Sequence, residues 1–351
     1  MTEKISEILK HFNISGVPEP LGNGHINETF RVSDFVLQKI NKNVFHDPAA
    51  VMENVKAVTE HLKKKIAEAG GDPAKETLNF LDTVDGLPYY LTEDGDYYRA
   101  YVYVDGVKSY DVAESPELLY QAARAFGKFQ NMLADFPAET LNEVIPSFHD
   151  TRKRFRDFKA SVERNASGRA ENVIEEIRFI LDRKDDCGVV IDALRSGVLP
   201  VRVTHNDTKL NNVLFDEKTD EGVCVIDLDT VMPGSLLYDF GDALRFAGSS
   251  GAEDEKDLSK IWFDLDNYEY FTRGFLEAAQ SITEKEKELL PFSVKLMTLE
   301  CGMRFLADYI DGDMYFKTAY PEHNLVRAMT QIKLVSDIEK KLDKMKETIN
   351  K

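Results

Sequence analysis

Three polar residues stand at a spacing that suits group transfer. His205 and Asp207 close an apolar strand signal beginning at Val203, and Asn212 follows five residues after Asp207. Fifteen residues beyond Asn212, a second apolar run from Val223 to Ile226 delivers Asp227 and Asp229. Phosphoryl transfer asks for a divalent metal to neutralise the γ-phosphate and a carboxylate to orient the attacking hydroxyl and take its proton. Asp207 suits the base, and Asn212 and Asp227 suit the oxygen ligands of Mg²⁺. A single aspartate in such a run is most often a turn residue. Asp216 and Asp220, between the two strand signals, read that way. The full spacing, HxDxxxxN followed by a strand ending in IDxD, is far harder to reach by turn chemistry alone.

The elements that must position these residues divide near 104–106. Residues 1–104 mix short strands with helices: strand signals at Thr29–Val32 and Phe35–Ile40 flank a hairpin-like Ser33-Asp34. Met52–Ala67 carries apolar residues at helical spacing and stops at Gly70-Gly71. Three more strand signals follow, at Leu78–Thr83, Leu87–Leu91 and Tyr97–Val104, giving a small sheet with one helix packed on it. Residues 105–351 are mostly helical. Ser115-Pro116 opens one helix with a capping serine and proline at the first position. Thr283 with Glu286 forms a capping box opening a long helix toward Ile310. The fold class is therefore α+β with two lobes, a mixed N-terminal one over 1–104 and a larger helical one over 105–351.

Composition narrows the class further. The chain has 351 residues, 43% of them hydrophobic, enough for a full core and about two domains. Its 62 acidic against 44 basic residues give a formal charge of −18, which repels polyphosphate backbones and anionic lipid. Nucleic acid and membrane are thus excluded as partners, while a small anion that brings its own metal is not. Cys187, Cys224 and Cys301 are far apart and odd in number, which speaks against a disulfide framework or structural zinc. With no long apolar run, the chain reads as a cytoplasmic monomer acting on a small molecule.

HxDxxxxN with IDxD resembles the aminoglycoside phosphotransferase and choline kinase superfamily, whose fold is similar to that of protein kinases. The resemblance implies ATP and Mg²⁺ as cofactors, Asp207 as catalytic base, His205 as the residue steadying the catalytic loop, and Asn212 and Asp227 as metal ligands. Asp229 matches the second acid of IDxD as a further metal candidate. Asp239 and Asp242 are read as anchors of the loops. LGNGHINETF (21–30), RVTHNDTKLNNVLFD (202–216), IDLDTVMPGSLLYDFGDALRF (226–246), ECGMRFLADY (300–309) and YPEHNLVR (320–327) look like the bacterial N-acetylhexosamine 1-kinase family over almost the whole chain. That likeness implies phosphorylation of GlcNAc or GalNAc at the anomeric hydroxyl. A kinase of choline, an aminoglycoside or another hexose is the alternative, with a catalytically silent nucleotide-binding protein behind it.

The remaining site residues follow from the same likeness. Gly22-Asn23-Gly24-His25-Ile26-Asn27 resembles a glycine-rich phosphate cover, with Gly22 and Gly24 offering backbone N–H groups; no GxxxxGK[ST] exists, so a P-loop fold is excluded. In the following strand Gln38 falls where the kinase-like VxK register expects a basic residue, and Lys39 stands beside it. Strand side chains alternate faces, so only one of the two reaches the phosphates. Its helix partner would be Glu53, unless that residue is a solvated surface acid. Tyr101, Tyr103 and Val104 are the adenine-side hinge candidates. For the sugar, the candidates are Arg304 and Tyr315, with His25 and Asn27 if the glycine-rich loop closes over it; a plain ion pair between Arg304 and Asp308 is the other reading. Trp262, Met297 and Met303 are taken as core, and His149-Asp150 as the cap of the next helix.

Overall fold

The computed structural model describes residues 2–21 and 27–350. Gly22, Gly24 and His25 lie outside the described residues. The N-terminal region runs α1 (Thr2–Lys10), β1 (Glu19–Pro20), β2 (Glu28–Val32), β3 (Phe35–Ile40), α2 (Pro48–Glu68), α3 (Pro73–Glu76), β4 (Phe80–Leu81), β5 (Tyr90–Leu91) and β6 (Tyr97–Val102). All six strands form one antiparallel sheet in which β6 has β3 on one side and β4 and β5 on the other. The hairpin expected at Ser33-Asp34 is present, with Ser33 left-handed at φ 54°. β4 and β5 are shorter than the periodicity predicts. The Asp85-Gly86 turn takes the backbone groups that a longer β4 would need: Thr83 N–H bonds Leu87 O at 2.7 Å, and Leu87 N–H bonds Thr83 Oγ1 at 3.2 Å.

The two longer N-terminal helices, α1 and α2, join different cores. Ile5, Ile8 and Leu9 of α1 pack under the sheet against Leu37, Tyr98 and Ala100. α2 starts as its sequence dictates, with Asp47 accepting from Ala50 N–H and Pro48 in the first turn. Its apolar face does not serve the sheet alone. Val51, Val55, Val58, Leu62 and Ile66 join one continuous core with Leu118, Ala122 and Phe126 of the helical region. Each such burial is worth about 1.5–3 kcal/mol relative to exposure. Asn54, 1% exposed on the same face, donates to Asn142 O at 2.8 Å and Val231 O at 2.9 Å and accepts from Asn142 N–H at 2.8 Å. The expected helix-on-sheet unit is thus also a bridge to the larger region.

The larger region follows the linker 103–106. It comprises β7 (Val107–Lys108), α4 (Pro116–Met132), α5 (Thr151–Arg164), α6 (Ile174–Leu181), α7 (Val189–Arg195), β8 (Arg202–Thr204), β9 (Val213–Asp216), β10 (Gly222–Val225), β11 (Met232–Gly234), α8 (Leu236–Ala247), α9 (Leu265–Ala278), α10 (Glu284–Asp311) and α11 (His323–Ile349). Ser115 caps α4 and the Thr283/Glu286 capping box opens α10, both as expected. α4 and α9 cross at touching distance: a Cβ on Gly127 would meet Phe275 O at 2.6 Å, and one on Gly274 would meet Tyr120 O at 2.4 Å. Met297 and Met303 are core, but Trp262 is not; it lies 48% exposed between α8 and α9, where its backbone N–H bonds Ser250 Oγ at 2.8 Å. No helix among the described residues is long and apolar enough to cross a membrane.

Candidate active site

β8 and β11 pair antiparallel, Thr204 opposite Met232, and so bring the ends of the two motif strands together. The loop leaving β8 is fastened from inside the helical core. Asp239 of α8, 2% exposed, accepts His205 N–H at 2.9 Å, Asn206 N–H at 2.8 Å and Gln130 Nε2 at 2.7 Å. Burial pushes its carboxyl pKa up, against the pull of those donors. Thr208 Oγ1 donates back to Asp239 O at 2.6 Å. Asp239 is therefore the anchor expected of it. Asp242 pairs instead with Arg245 at 3.1 Å, one turn along α8.

His205 is fully buried and joins the two motifs. Its Nε2 lies 2.8 Å from Ile226 O, and its Nδ1 accepts Asp207 N–H at 3.3 Å, which together assign the proton to Nε2. It steadies the loop and presents nothing to the cleft. Ile226 N–H bonds Asn212 O at 2.9 Å, closing the same junction. Asn206 and Asp227 both adopt left-handed backbone, at φ 65° and 58°, a conformation that Asn and Asp tolerate better than bulkier residues.

Asp207, Asn212 and Asp227 converge. Asn212 Nδ2 donates to Asp207 O at 2.7 Å and to Asp207 Oδ2 at 3.3 Å. Asp227 has no hydrogen-bond donor or cation on its carboxylate among the described residues. Burial first, then the Asp229 and Asp207 carboxylates, push its pKa up to about 6. Asp207 and Asp227, carboxylates that repel one another beside the Asn212 amide, are oxygen donors of the kind Mg²⁺ takes, although no group of three His, Cys, Asp or Glu among the described residues is set to hold a metal by itself. Lys209, which the sequence reading passed over, reaches Asp207 Oδ1 at 2.6 Å. Although burial works to discharge the ammonium, Asp207 holds its pKa above the ordinary lysine value. The signal was available: Lys209 is the one basic residue between His205 and Asn212.

On the N-terminal side of the cleft, Gln38 and Lys39 take opposite faces of the sheet. Lys39 pairs with Asp96 at 2.9 Å on one face of the sheet, which raises its pKa. Gln38 lies on the other face, directly across from Arg99 of β6. Arg99 Nε donates to Gln38 Oε1 at 3.0 Å, and Arg99 Nη1 pairs with Asp229 Oδ1. Asp229 Oδ2 accepts Asn27 Nδ2 at 2.7 Å. Both oxygens of Asp229 are thus engaged by protein donors, as are both of Asp207, through Lys209 and Asn212, which leaves the Asp227 carboxylate and Asn212 Oδ1 as the oxygens without a donor among the described residues. Glu53 is exposed and accepts from Asn142 Nδ2 at 3.0 Å, the surface acid of the second reading. Asn27 bonds Asp229 and Asn41 N–H at 3.0 Å, which places it beside the acids.

Of the hinge candidates, Tyr101 shares the face of Arg99 and meets Phe80 at 5.2 Å between ring centroids. Its hydroxyl pKa is raised well above the usual value by burial. Tyr103 turns outward under the Arg31 guanidinium, 3.8 Å from its ring, and its N–H is taken by Asp34 O at 2.8 Å. Val104 is buried and its N–H has no backbone partner among the described residues.

Arg304 does not pair with Asp308. Asp308 accepts from Met314, Tyr315 and Phe316 N–H at 2.8–2.9 Å and from Asn324 Nδ2 at 2.9 Å, fixing the loop after α10. Arg304 instead sits among the rings of Phe148, Tyr315 and Phe316, 5.5–5.9 Å from each centroid, with no carboxylate partner among the described residues. Arg154 is beside it, its pKa lowered by burial and by Arg304. Arg304 and Tyr315 come together in a cavity of about 180 Å³ that no residue of the catalytic loop lines. Phe148 also walls a second cavity of about 180 Å³ that reaches Asn206. A third, of about 500 Å³, is lined by Thr208–Asn211 of the loop. Asp150 caps α5 through Lys153 N–H at 2.9 Å, as expected, and His149 Nδ1 meets Glu300 at 2.8 Å.

Solved structures share this architecture end to end. A microcompartment-associated aminopropanol kinase matches at 15% identity and a TM-score of 0.62, covering 99% of each chain. Spectinomycin phosphotransferase in complex with ADP and spectinomycin matches at 14% identity and 0.59, covering 98% of each. A choline/ethanolamine kinase family protein from Mesorhizobium loti matches at 16% identity and 0.55, covering 99% of this chain and 98% of its own. At such identities the likeness is one of fold, the protein-kinase-like arrangement of a small antiparallel sheet and a larger helical region. The pattern of the phosphotransferase enzyme family, APH, matches residues 18–271, a span holding Arg99, Asp207, Asn212, Asp227 and Asp229; the chain belongs to that family.

Proposed function

We propose that the protein transfers the γ-phosphate of ATP to O1 of an N-acetylhexosamine, GlcNAc or GalNAc. The observation that carries the kinase reading is the convergence of Asp207, Asn212 and Asp227, with Asp227 among other carboxylates and without a partner among the described residues. Asp207 takes the proton of the anomeric hydroxyl as O1 bonds to the γ-phosphorus and the bond to the β,γ-bridging oxygen breaks, releasing ADP. An anomeric hydroxyl is more acidic than other sugar alcohols, which suits a carboxylate base. Mg²⁺, when bound, supplies neutralisation of the β- and γ-phosphate charge; Asp227 and Asn212 would hold it. Lys209 pairs with Asp207 and holds it in place until the acceptor arrives. His205 and Asp239 hold the loop's shape.

The choice of sugar rests on the near-full-length likeness of five segments; Arg304 stands beside a separate cavity that the catalytic loop does not line. Arg154 and Arg304 have no carboxylate partner among the described residues, Arg154 donating to Phe148 O instead, and such guanidinium groups favour hydroxyl and amide oxygens over a cationic acceptor. A second reading, an amine-bearing acceptor, is favoured by the larger cavity, where Leu119, Phe126, Phe246 and Phe271 wall a space that also meets Asp111 and Glu253. An ADP-release assay separates them, using GlcNAc, GalNAc, glucose, 1-O-methyl-GlcNAc, choline and an aminoglycoside. Turnover on the N-acetyl sugars that vanishes with the 1-O-methyl compound is expected; turnover on amines alone overturns the sugar reading. Asp207→Asn should lower kcat by about 10²–10⁴-fold while Mg-ADP still binds, and near-native turnover would remove Asp207 from its role.

A further inference from the structure

The one cation of β3, Lys39, is on the face of the sheet away from Gln38. β3 turns Gln38 toward the cleft, and Lys39 is committed to Asp96 on the opposite face. Residues directly across an antiparallel pair share a face, so Arg99 of β6 points where Gln38 points. The arginine is 3% exposed, an expensive place for a charge. Its surroundings fix its orientation closely. Gln38 Nε2 donates to Thr29 Oγ1 at 3.0 Å, which sets the amide so that Oε1 faces Arg99 Nε. Nη1 faces Asp229 and lies 3.7 Å from Met52 Sδ. Nη2 donates to nothing among the described residues.

A guanidinium clamped at Nε and Nη1 with Nη2 left over, beside the acids that would carry the metal, is half of a phosphate-binding fork. We propose that Arg99 supplies, from β6, the cation that contacts the α- and β-phosphates of the nucleotide, in place of a basic residue on β3. Gln38 then serves as its holder: its amide oxygen aims Nε, and the strand pair sets the reach. Asp229 keeps Arg99 charged and aligned in the free protein and shares it with the nucleotide when that binds. This rests on the kinase reading.

The test compares two ligands that differ only in phosphates, Mg-ADP and adenosine, titrated calorimetrically without acceptor. Arg99→Gln is expected to weaken Mg-ADP about tenfold or more and to leave adenosine unchanged. Moving the charge back, Gln38→Lys with Arg99→Gln, is expected to recover most of the Mg-ADP affinity. A merely structural role for Arg99 would weaken both ligands together and would not be rescued by the swap. Should Arg99→Gln fail to fold, Arg99→Lys carries the comparison. Its shorter, unforked ammonium is expected to weaken Mg-ADP about fivefold and spare adenosine. Native Mg-ADP affinity in a folded Arg99→Gln or Arg99→Lys protein overturns the proposal. A wild-type protein that binds neither ligand overturns the kinase reading itself, a different result.

Discussion

At the scale of single residues, the cleft is defined by which acids have partners. Asp229 has two, Asp207 has Lys209 and Asn212, and Asp227 has none among the described residues. Asp227 ionises near 3.8 in an unfolded chain and near 6 in the metal-free fold, so the fold binds that proton more tightly. The stabilisation is present below the lower value and is lost as pH rises through the higher one. Above pH 7 the ionised group therefore weighs against the metal-free fold by on the order of 3 kcal/mol. Asp227→Asn, with no hydrogen bond among the described residues to lose, is expected to raise the metal-free Tm at pH 7.5 and leave it unchanged near pH 4. Mg²⁺ should then raise the Tm of the wild type and not of the variant. A lower Tm for the variant at pH 7.5 would contradict the carboxylate repulsion.

The residue scale also shows what a sequence can convey. Asp207, Asn212 and Asp227 were legible because one loop and one strand end dictate their spacing. Arg99 was not, because its partners stand 61 and 130 residues away and meet it only through strand register and lobe docking. The Gln38/Lys39 choice was legible as a choice, since alternation allows one face each, but the side of the sheet that faces the acids is a tertiary fact. Arg304 and Asp308, one turn apart, looked like a pair; the three N–H groups of the following loop took the carboxylate first.

At the scale of elements, that loop gives a second measurable outcome. Asp308 at the end of α10 holds the segment carrying Tyr315 through three backbone donors and Asn324. Asp308→Ala leaves those donors without an acceptor and is expected to cost about 2–4 kcal/mol in denaturant melts. On the proposed reading it also raises KM for the sugar with little change in KM for ATP. A variant that melts like the wild type would show that water replaces the carboxylate. Capped helices such as α4 and α10 were readable because their caps are local. β4 and β5 were overestimated because apolar alternation does not reveal where a turn has already used the backbone. Trp262 was misplaced because composition assigns a lone tryptophan to a core that the loop between α8 and α9 does not enter.

At the scale of the whole molecule, the linker 103–106 is not the only join between the regions. α2 contributes its apolar face to the larger core, and Asn54 bonds to the backbone on that side. The boundary drawn at 104–106 therefore separates the strands better than it separates the cores. Residues 1–104 produced alone would expose Val55, Val58 and Leu62, and are expected to give no cooperative melt, whereas the intact chain should unfold in one transition. A sharp, reversible melt of the fragment would show two independent units instead.

The anchoring of the catalytic loop by Asp239 has a consequence for the order in which the protein is made. Asp207 leaves the ribosome before the carboxylate that receives the N–H groups of His205 and Asn206, 34 and 33 positions further along the chain from each. Until α8 has emerged and docked against Gln130, the nascent chain carries the motif as an unformed turn. The site is thereby assembled only once the chain has committed to its helical core, and a product truncated before residue 239 holds every motif acid without the means to arrange them.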